Sequence, residues 1–237
     1  MTSLGGGEMS DIQPEDLRVL AEWDTPTICN GLEVIDATLI AKGFTTKTLY
    51  CARPTMAPIV GFARTATIRS RKPTTRNSES QRKMQAKYYR HMAEPPGPTI
   101  AIIQDIDCPS GLGAWWGEVH TTVHRALGVA GVVSNGSARD LDANTKDFQL
   151  LVGSISPSHA HVHVVDVDCD VEVCSMEASP GDIIHADKHG AVRIPPDTIR
   201  ELPQVIKVLM AKEKTILDAT KEHDFKVERL LEVMGLQ

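Results

Sequence analysis

The stretch GVVSNGSARDLD, Gly131 to Asp142, sets an arginine and an aspartate side by side just where an apolar run breaks off. Arg139 offers a planar fork of N–H donors suited to a carboxylate or an oxyanion, and Asp140 is a hard oxygen ligand for a divalent cation. Glu118 stands upstream, separated from Arg139 by twenty residues. If the chain folds back over that interval, Glu118 and Asp140 form a carboxylate pair that can hold Mg2+, or Mn2+, with water completing the shell, while Arg139 grips the substrate anion. A salt bridge tying a helix to a loop is the plainer use of the same residues. Beside them, GLGAWWG (Gly111 to Gly117) falls at an expected helix start, where backbone N–H groups make an anion site. Its spacing is not that of a dinucleotide fingerprint, and Trp115 and Trp116 would crowd a pyrophosphate.

Histidines supply a second set of candidates. His159, His161 and His163 alternate, so in a regular strand they would share a face, and three imidazoles on one face suit Zn2+ or another transition metal. His185 and His189 flank Asp187 in HADKHG. His120 and His124 lie four apart in HTTVH, which lacks the glutamate of a zincin motif. Polar histidines on a half-exposed strand or a subunit contact are the commoner arrangement. Neither a Ser-His-Asp nor a Cys-His nucleophile signature stands out, and GVVSNG is not a nucleophile elbow.

Periodicity gives the elements that must position these groups. QPEDLRVLAEW and DTPTICNGLEVIDATL predict two helices, the second capped by Asp24 or Thr25 with Pro26 in its first turn. PIVGFARTATIRS predicts a strand and SESQRKMQAKYYRHM a helix. GPTIAIIQDID is a continuous apolar strand, as expected where both faces of a parallel sheet are covered. AWWGEVHTTVHRAL predicts a helix ended by Gly128, and VAGVVSN a second buried strand that gives way to a turn at Ser134 to Ser137, so the unit reads as a βαβ crossover. Ligands of open α/β sheets bind outside the carboxyl ends of strands, which is where both CPSGLGAWWGE and GSARD fall. QLLVGSIS, HVHVVDVDC, VEVCSM, GDIIHAD and GAVRIP follow as shorter β segments of a second, partly antiparallel layer. Pro196 to about Lys221 is helical with a break near Pro203, and a further short helix is expected after it.

Composition bounds the function class. The chain has 237 residues, is 41% hydrophobic and 24% charged, and carries only 4% aromatics, the profile of a soluble α/β protein. One domain is expected over residues 13–237, with residues 1–12, which include three consecutive glycines, a disordered or vector-derived tail. A net charge of −6 with mixed signs argues against nucleic acid as a partner, and the basic run from Ile68 to Lys83 reads as a solvated loop leading into a helix. No apolar run reaches the roughly 20 residues of a membrane span, and the start has neither a basic nor an apolar signal region, so a cytoplasmic location is expected. Cys29, Cys51, Cys108, Cys169 and Cys174 are odd in number and contain no Cys-x-x-Cys, which predicts reduced, mostly buried thiols.

GLGAWWGEVHTTVHRALGVAGVVSNGSARDLD followed by SPGDIIHADKHGAVRIP resembles the RraA-like family, which includes class II 4-hydroxy-4-methyl-2-oxoglutarate / 4-carboxy-4-hydroxy-2-oxoadipate aldolases and regulators of ribonuclease E activity. The resemblance runs from about Thr25 to Lys221 and is most specific in the acidic-x20-Arg-Asp spacing with the downstream Pro-Gly-Asp and Ala-Asp-x-x-Gly. It implies an α/β fold, a three-layer β/β/α swivelling-type domain with helical N- and C-terminal segments, assembled as a homotrimer or a hexamer with sites between subunits. It implies Asp140 as the protein ligand of Mg2+, Arg139 as the group on the substrate's keto and carboxylate oxygens, and Glu118 in place of the usual aspartate. Residues Gly113, Ala114, Trp115, Trp116 and Gly117 would bind substrate, with Glu213 a candidate contribution from a neighbouring copy. The activity implied is cleavage of a 2-oxo-dicarboxylic or -tricarboxylic acid, by retro-aldol reaction or oxaloacetate decarboxylation. The alternative is a non-catalytic regulator of an RNA-processing enzyme, which the intact Glu118, Arg139 and Asp140 disfavour.

Overall fold

The computed structural model describes residues 12–236. The tail expected over residues 1–12 therefore lies, but for Ile12, outside the described residues. The protein is a mixed α/β structure built on a curled nine-stranded sheet. Strands β2 (Ile59–Arg69), β3 (Thr99–Asp105), β5 (Val129–Ala138) and β6 (Gln149–Ile155) run parallel at its centre in the order β6-β5-β3-β2. The short β1 (Tyr50–Cys51) pairs antiparallel with β6. β7 (His163–Val167), β10 (Ile183–Asp187) and β11 (Gly190–Ile194) extend the other side antiparallel.

Central strands buried on both faces explain the unbroken apolar runs in the sequence. One face lies under helices α3 (Ser78–Met92) and α4 (Glu118–Ala126), through a core that includes Ile68, Tyr88, Met92, Ile103, Trp116, Val132 and Phe148. The other face carries Ile100, Ile102, Val133 and Leu151 against the hairpin β8 (Val171–Val173) and β9 (Met176–Ala178). Hairpin, sheet and helices are the three layers. A third cluster seats α1 (Pro14–Leu20), α2 (Thr25–Ile35) and α5 (Leu202–Ala219) on Val60, Phe62, Ile183 and Val192. α6 (Val227–Met234) packs on α5. No described helix is long and apolar enough to cross a membrane.

Local signals behave as their chemistry dictates. Asp24 accepts the Thr27 N–H at 3.0 Å to start α2, and Asn77 does the same for α3 through Ser80 at 2.8 Å. Gly128, at φ +91°, ends the turn after α4. The break near Pro203 is a helix start instead: a 3-10 turn at Pro196–Thr198 precedes α5, and Pro203 sits in its first turn, where no N–H is needed.

Four expectations are corrected by pairing that only the folded chain supplies. Ser134 to Ser137 do not form a turn but continue β5 to Ala138. Asn135 makes this possible: its side-chain amide accepts the Asp105 N–H at 2.7 Å and donates to the Asp105 carbonyl at 2.9 Å, replacing a strand neighbour where the β3–β5 ladder ends. The extension gives Ala114–Trp116 a partner, so these residues form a short strand, β4, and the helix begins only at Glu118. VEVCSM is a hairpin, because Cys174 (φ +52°) and Ser175 (φ +74°) make a two-residue turn without the usual asparagine or glycine. His159 and His161 precede β7, with Ala160 at φ +46° between them, so the three histidines share no regular strand face. The five cysteines are free as expected, but four are only half-buried and Cys108 is exposed.

Candidate active site

Arg139 and Asp140 follow the last residue of β5, at the carboxyl edge of the sheet. The Arg139 N–H donates to the Trp116 carbonyl at 2.8 Å, which ties the strand end to β4. In an extended chain the two side chains would point to opposite faces. Asp140 instead adopts φ +53°, a left-handed conformation that costs a non-glycine residue about 1 kcal/mol and that aspartate tolerates best. The turn brings both groups into one cleft, and three bonds hold it: the Ala143 and Asn144 N–H groups donate to the Asp140 carbonyl at 3.0 Å, and the Asn144 side chain donates to the Arg139 carbonyl at 2.9 Å.

Glu118 arrives from the other side as the first residue of α4. Its backbone N–H reaches the Asp140 carboxylate at 3.4 Å, and Arg139 Nε lies 3.5 Å from the same oxygen. Both contacts are long and half-exposed, worth less than about 1 kcal/mol. Asp140 is thus left with most of its acceptor capacity unused. The N-terminal turn of α4 adds the amides of Val119 and His120, which precede the first intrahelical bond, from Thr121 to the Gly117 carbonyl. Gly117 keeps the approach clear: a Cβ there would sit 2.6 Å from Asp140 Oδ2 and 3.3 Å from Arg139 Cγ.

The cleft encloses about 430 Å³. Of the residues expected to bind substrate or metal, Ala114, Trp115, Gly117, Glu118, Arg139 and Asp140 line it. Gly113 and Trp116 do not. Gly113 is buried and its N–H is taken by the Ser70 hydroxyl at 3.0 Å, while Trp116 is fully buried in the core as the inward residue of β4. The Ala114 amide is likewise occupied, by the Ser158 carbonyl at 2.9 Å. The amides left open to an anion are therefore those of the α4 first turn rather than those of Gly113 and Ala114.

Gln85, Val119, His120, His159 and Val162 complete the lining. His120 and His159 were candidates by histidine spacing, but as metal ligands rather than as walls of this cleft; Val119 adjoins Glu118 at the helix start, and Gln85 and Val162 come from distant segments that carried no signal. Beneath the cleft runs a buried polar chain. The Trp115 indole donates to Tyr88 Oη at 3.3 Å, Tyr88 pairs with His124 Nε2 at 2.7 Å, and His124 Nδ1 donates to the His120 carbonyl at 2.6 Å. Because Nδ1 faces a carbonyl, it carries the hydrogen, and Nε2 accepts from tyrosine. Burial pushes the His124 pKa down to about 3 and raises that of Tyr88, so both stay neutral. The His120 ring lies 4.3 Å from that of Trp115, and burial followed by the Arg139 charge pushes its pKa down to about 4.

The metal expectations divide. Two carboxylates facing a clear approach suit a hard cation that keeps most of its water, as Mg2+ and Mn2+ do. Among the described residues, no group of three or more His, Cys, Asp and Glu side chains converges on one point, so neither the HVH histidines nor the HADKH pair builds a closed zinc-type site. Glu213 is exposed on α5.

A family model described as RraA-like, Aldolase/RraA, matches residues 25–193. No curated protein matches the chain. Among solved structures, an uncharacterized protein from Pseudomonas syringae pv. tomato covers 100% of both chains at 18% identity, with a TM-score of 0.73. An unusual member of the RNase ES inhibitor RraA protein family from Streptomyces coelicolor is 18% identical over 85% of this chain and 94% of its own, with a TM-score of 0.65. The RNA-processing inhibitor RraA from Thermus thermophilis is 19% identical over 70% and 92%, with a TM-score of 0.50. At these identities the likeness is one of fold.

Proposed function

Because the chain belongs to the RraA-like family, which holds both aldolases and inhibitors of RNA processing, we propose that it is a carbon–carbon lyase that cleaves a 2-oxo acid through a pyruvate enolate. One observation supports the reading: Glu118 meets Arg139 and Asp140 in a single cleft although twenty residues separate it from Arg139. Asp140 and Glu118 would hold a divalent cation together with water, and that ion would supply Lewis acidity for enolate formation.

The residues of the chain do the rest. Arg139 holds the substrate carboxylate and stabilises the oxyanion as charge develops on the 2-oxo oxygen. The first-turn amides of α4, at the positive end of its dipole, orient the same carboxylate. For a retro-aldol substrate, Glu118 takes the proton of the C4 hydroxyl, directly or through one water. The O–H electron pair becomes the new C4 carbonyl, the C3–C4 bond breaks, and its pair forms the enolate, which collects a proton from water to give pyruvate. For oxaloacetate no base is required, since loss of CO2 leaves the same enolate. A homotrimer or hexamer would close the cleft with groups from a neighbouring copy, Glu213 being the residue to vary.

Pyruvate release from oxaloacetate, with Mg2+, with excess EDTA, and in Arg139→Ala and Asp140→Ala, tests the proposal. Metal-dependent release lost in both variants supports it. Release no greater than that of the metal alone, from folded protein, would move the reading to the second hypothesis, a binding regulator of an RNA-processing enzyme.

A further inference from the structure

The buried polar chain beneath the cleft takes no part in the cleavage steps, yet it ends on a residue that lines the cleft. Trp115 donates to Tyr88 at 3.3 Å, Tyr88 donates to His124 at 2.7 Å, and His124 Nδ1 donates to the His120 carbonyl at 2.6 Å. The His120 ring is held from two sides, its centre 4.3 Å from that of Trp115 and 5.7 Å from that of His124. Rigid support of this kind suits a side chain whose direction matters.

The two ring nitrogens of His120 have opposite surroundings. Nδ1 is buried and has no hydrogen-bond partner among the described residues. Nε2 is not closed off in this way, and the half-buried ring lines the cleft together with Glu118, Arg139 and Asp140. A neutral imidazole carries one hydrogen. On Nδ1 that hydrogen would be a buried donor without an acceptor, at a cost of about 1–3 kcal/mol, whereas a bare lone pair there is the smaller penalty. The hydrogen therefore resides on Nε2, toward the cleft. The helix does the aiming: His120 is the third residue of α4, and helical side chains lean toward the N-terminus, which carries the ring toward the open first-turn amides.

Resting on the lyase reading above, we infer that His120 is a further catalytic residue, its Nε2–H donating to the 2-oxo oxygen of the bound acid as that oxygen becomes the enolate oxyanion. It shares the oxyanion with Arg139. The hydrogen stays on Nε2 throughout, so the balance of the step is unchanged: the pair of the breaking C–C bond forms the enolate, and water supplies the proton at C3. The hydrogen bond strengthens as the oxygen gains charge, so His120 stabilises the transition state more than the bound substrate. The four-residue spacing in HTTVH suggested two ligands of one metal; the fold gives the pair different tasks, His124 as support and His120 as donor.

The test measures kcat and KM for Mg2+-dependent pyruvate release from oxaloacetate in the wild type, His120→Leu and His120→Gln, together with inhibition by oxalate, a planar dianion shaped like the enolate. His120→Leu keeps bulk against Trp115 and removes the donor. Its kcat should fall roughly 100-fold with KM within about twofold, oxalate binding should weaken roughly tenfold, and the thermal midpoint should stay within about 2 °C. His120→Gln, whose side-chain amide donates from near the position of Nε2, should recover kcat to within roughly tenfold of the wild type. Histidine 15N spectra of the wild type, with the His120 signals assigned by their loss in His120→Gln, should show the hydrogen on Nε2 and a bare Nδ1, and the Nε2 hydrogen should move downfield when Mg2+ and oxalate bind. Unchanged kcat in folded His120→Leu, a glutamine variant no better than the leucine one, or a hydrogen on Nδ1 overturns the inference and leaves the lyase intact. No metal-dependent release from the wild type overturns both.

Discussion

Asp140 follows β5 and Asp187 closes β10, and each has a basic neighbour: Arg139 Nε at 3.5 Å for the first, His189 Nδ1 at 3.2 Å for the second. Their surroundings are opposite. The Asp140 side chain is 40% exposed and meets only long contacts. The Asp187 side chain is 5% exposed and accepts the His189 N–H at 2.8 Å and the Thr25 N–H at 3.1 Å. Beside it, His185 Nε2 donates to the Trp23 carbonyl at 3.1 Å, and Nδ1 accepts from the Thr25 hydroxyl at 3.0 Å. Burial alone would raise the Asp187 pKa, but the hydrogen bonds from His189 and Thr25 outweigh it and hold the carboxyl below its ordinary value. Asp187 fastens the start of α2 to the sheet, whereas Asp140 is held in place by its backbone so that its carboxylate stays available. A strand-end aspartate is structural when amides fill its lone pairs, and is left free to bind a ligand when the fold leaves those lone pairs open.

Exchanging the two lesions should separate the roles. Asp140→Ala is expected to lower pyruvate release at least a hundredfold, the scale of losing a ligand or an oxyanion partner, while the thermal midpoint stays within about 2 °C; equal loss of stability would break the contrast. Asp187→Ala leaves the buried Thr25 N–H and the part-buried His189 N–H unpaired and should cost about 2 kcal/mol, a fall of roughly 4–8 °C in a chain of this size, with kcat in the surviving fold close to wild type.

Gly117→Ala sharpens the comparison from the cleft side. Its methyl would meet Asp140 Oδ2 at 2.6 Å, so the carboxylate must move. Release should drop roughly tenfold, as expected for a displaced catalytic group, with thermal stability changed little because the carboxylate is half-exposed. The smallest effect is one of pH. His120, His124 and His185 have pKa values lowered by burial, so they stay neutral in the fold and charge on unfolding. Their contribution is present above about pH 6.5 and is lost as the pH falls, at up to about 1.4 kcal/mol per pH unit for each histidine. The Asp187 contribution, from a depressed carboxyl, is present above about pH 4 and is lost only below that. Unfolding measured between pH 7 and 3 should therefore weaken first through the histidines, and Asp187→Ala should flatten only the most acidic part of the curve.

Much of this was legible in the chain. The apolar runs of β2, β3 and β5, the helix over Ser78–Met92 and the stop at Gly128 follow from periodicity and capping, which act over a few residues. So did the convergence of Glu118 on Arg139 and Asp140, because a crossover between parallel strands returns the chain to the same sheet edge. Trp116 was misread for a local reason: AWW before a helix start looks like its first turn, and only the extension of β5 gives those residues a strand partner. The histidine stripe failed because Ala160 turns the backbone left-handed, which alternation alone does not reveal.

The sequence by itself determined the order of elements, the sheet edge at which Glu118, Arg139 and Asp140 converge and the residue types delivered there, since each depends on short-range pattern and on the handed geometry of a βαβ unit. The tertiary structure decided which lone pairs stay open, which amides are already used and what faces the ligand across the cleft. Those properties depend on partners such as Ser70, Gln85, Asn135 and Val162, which are distant in the chain and meet the site only when the layers pack.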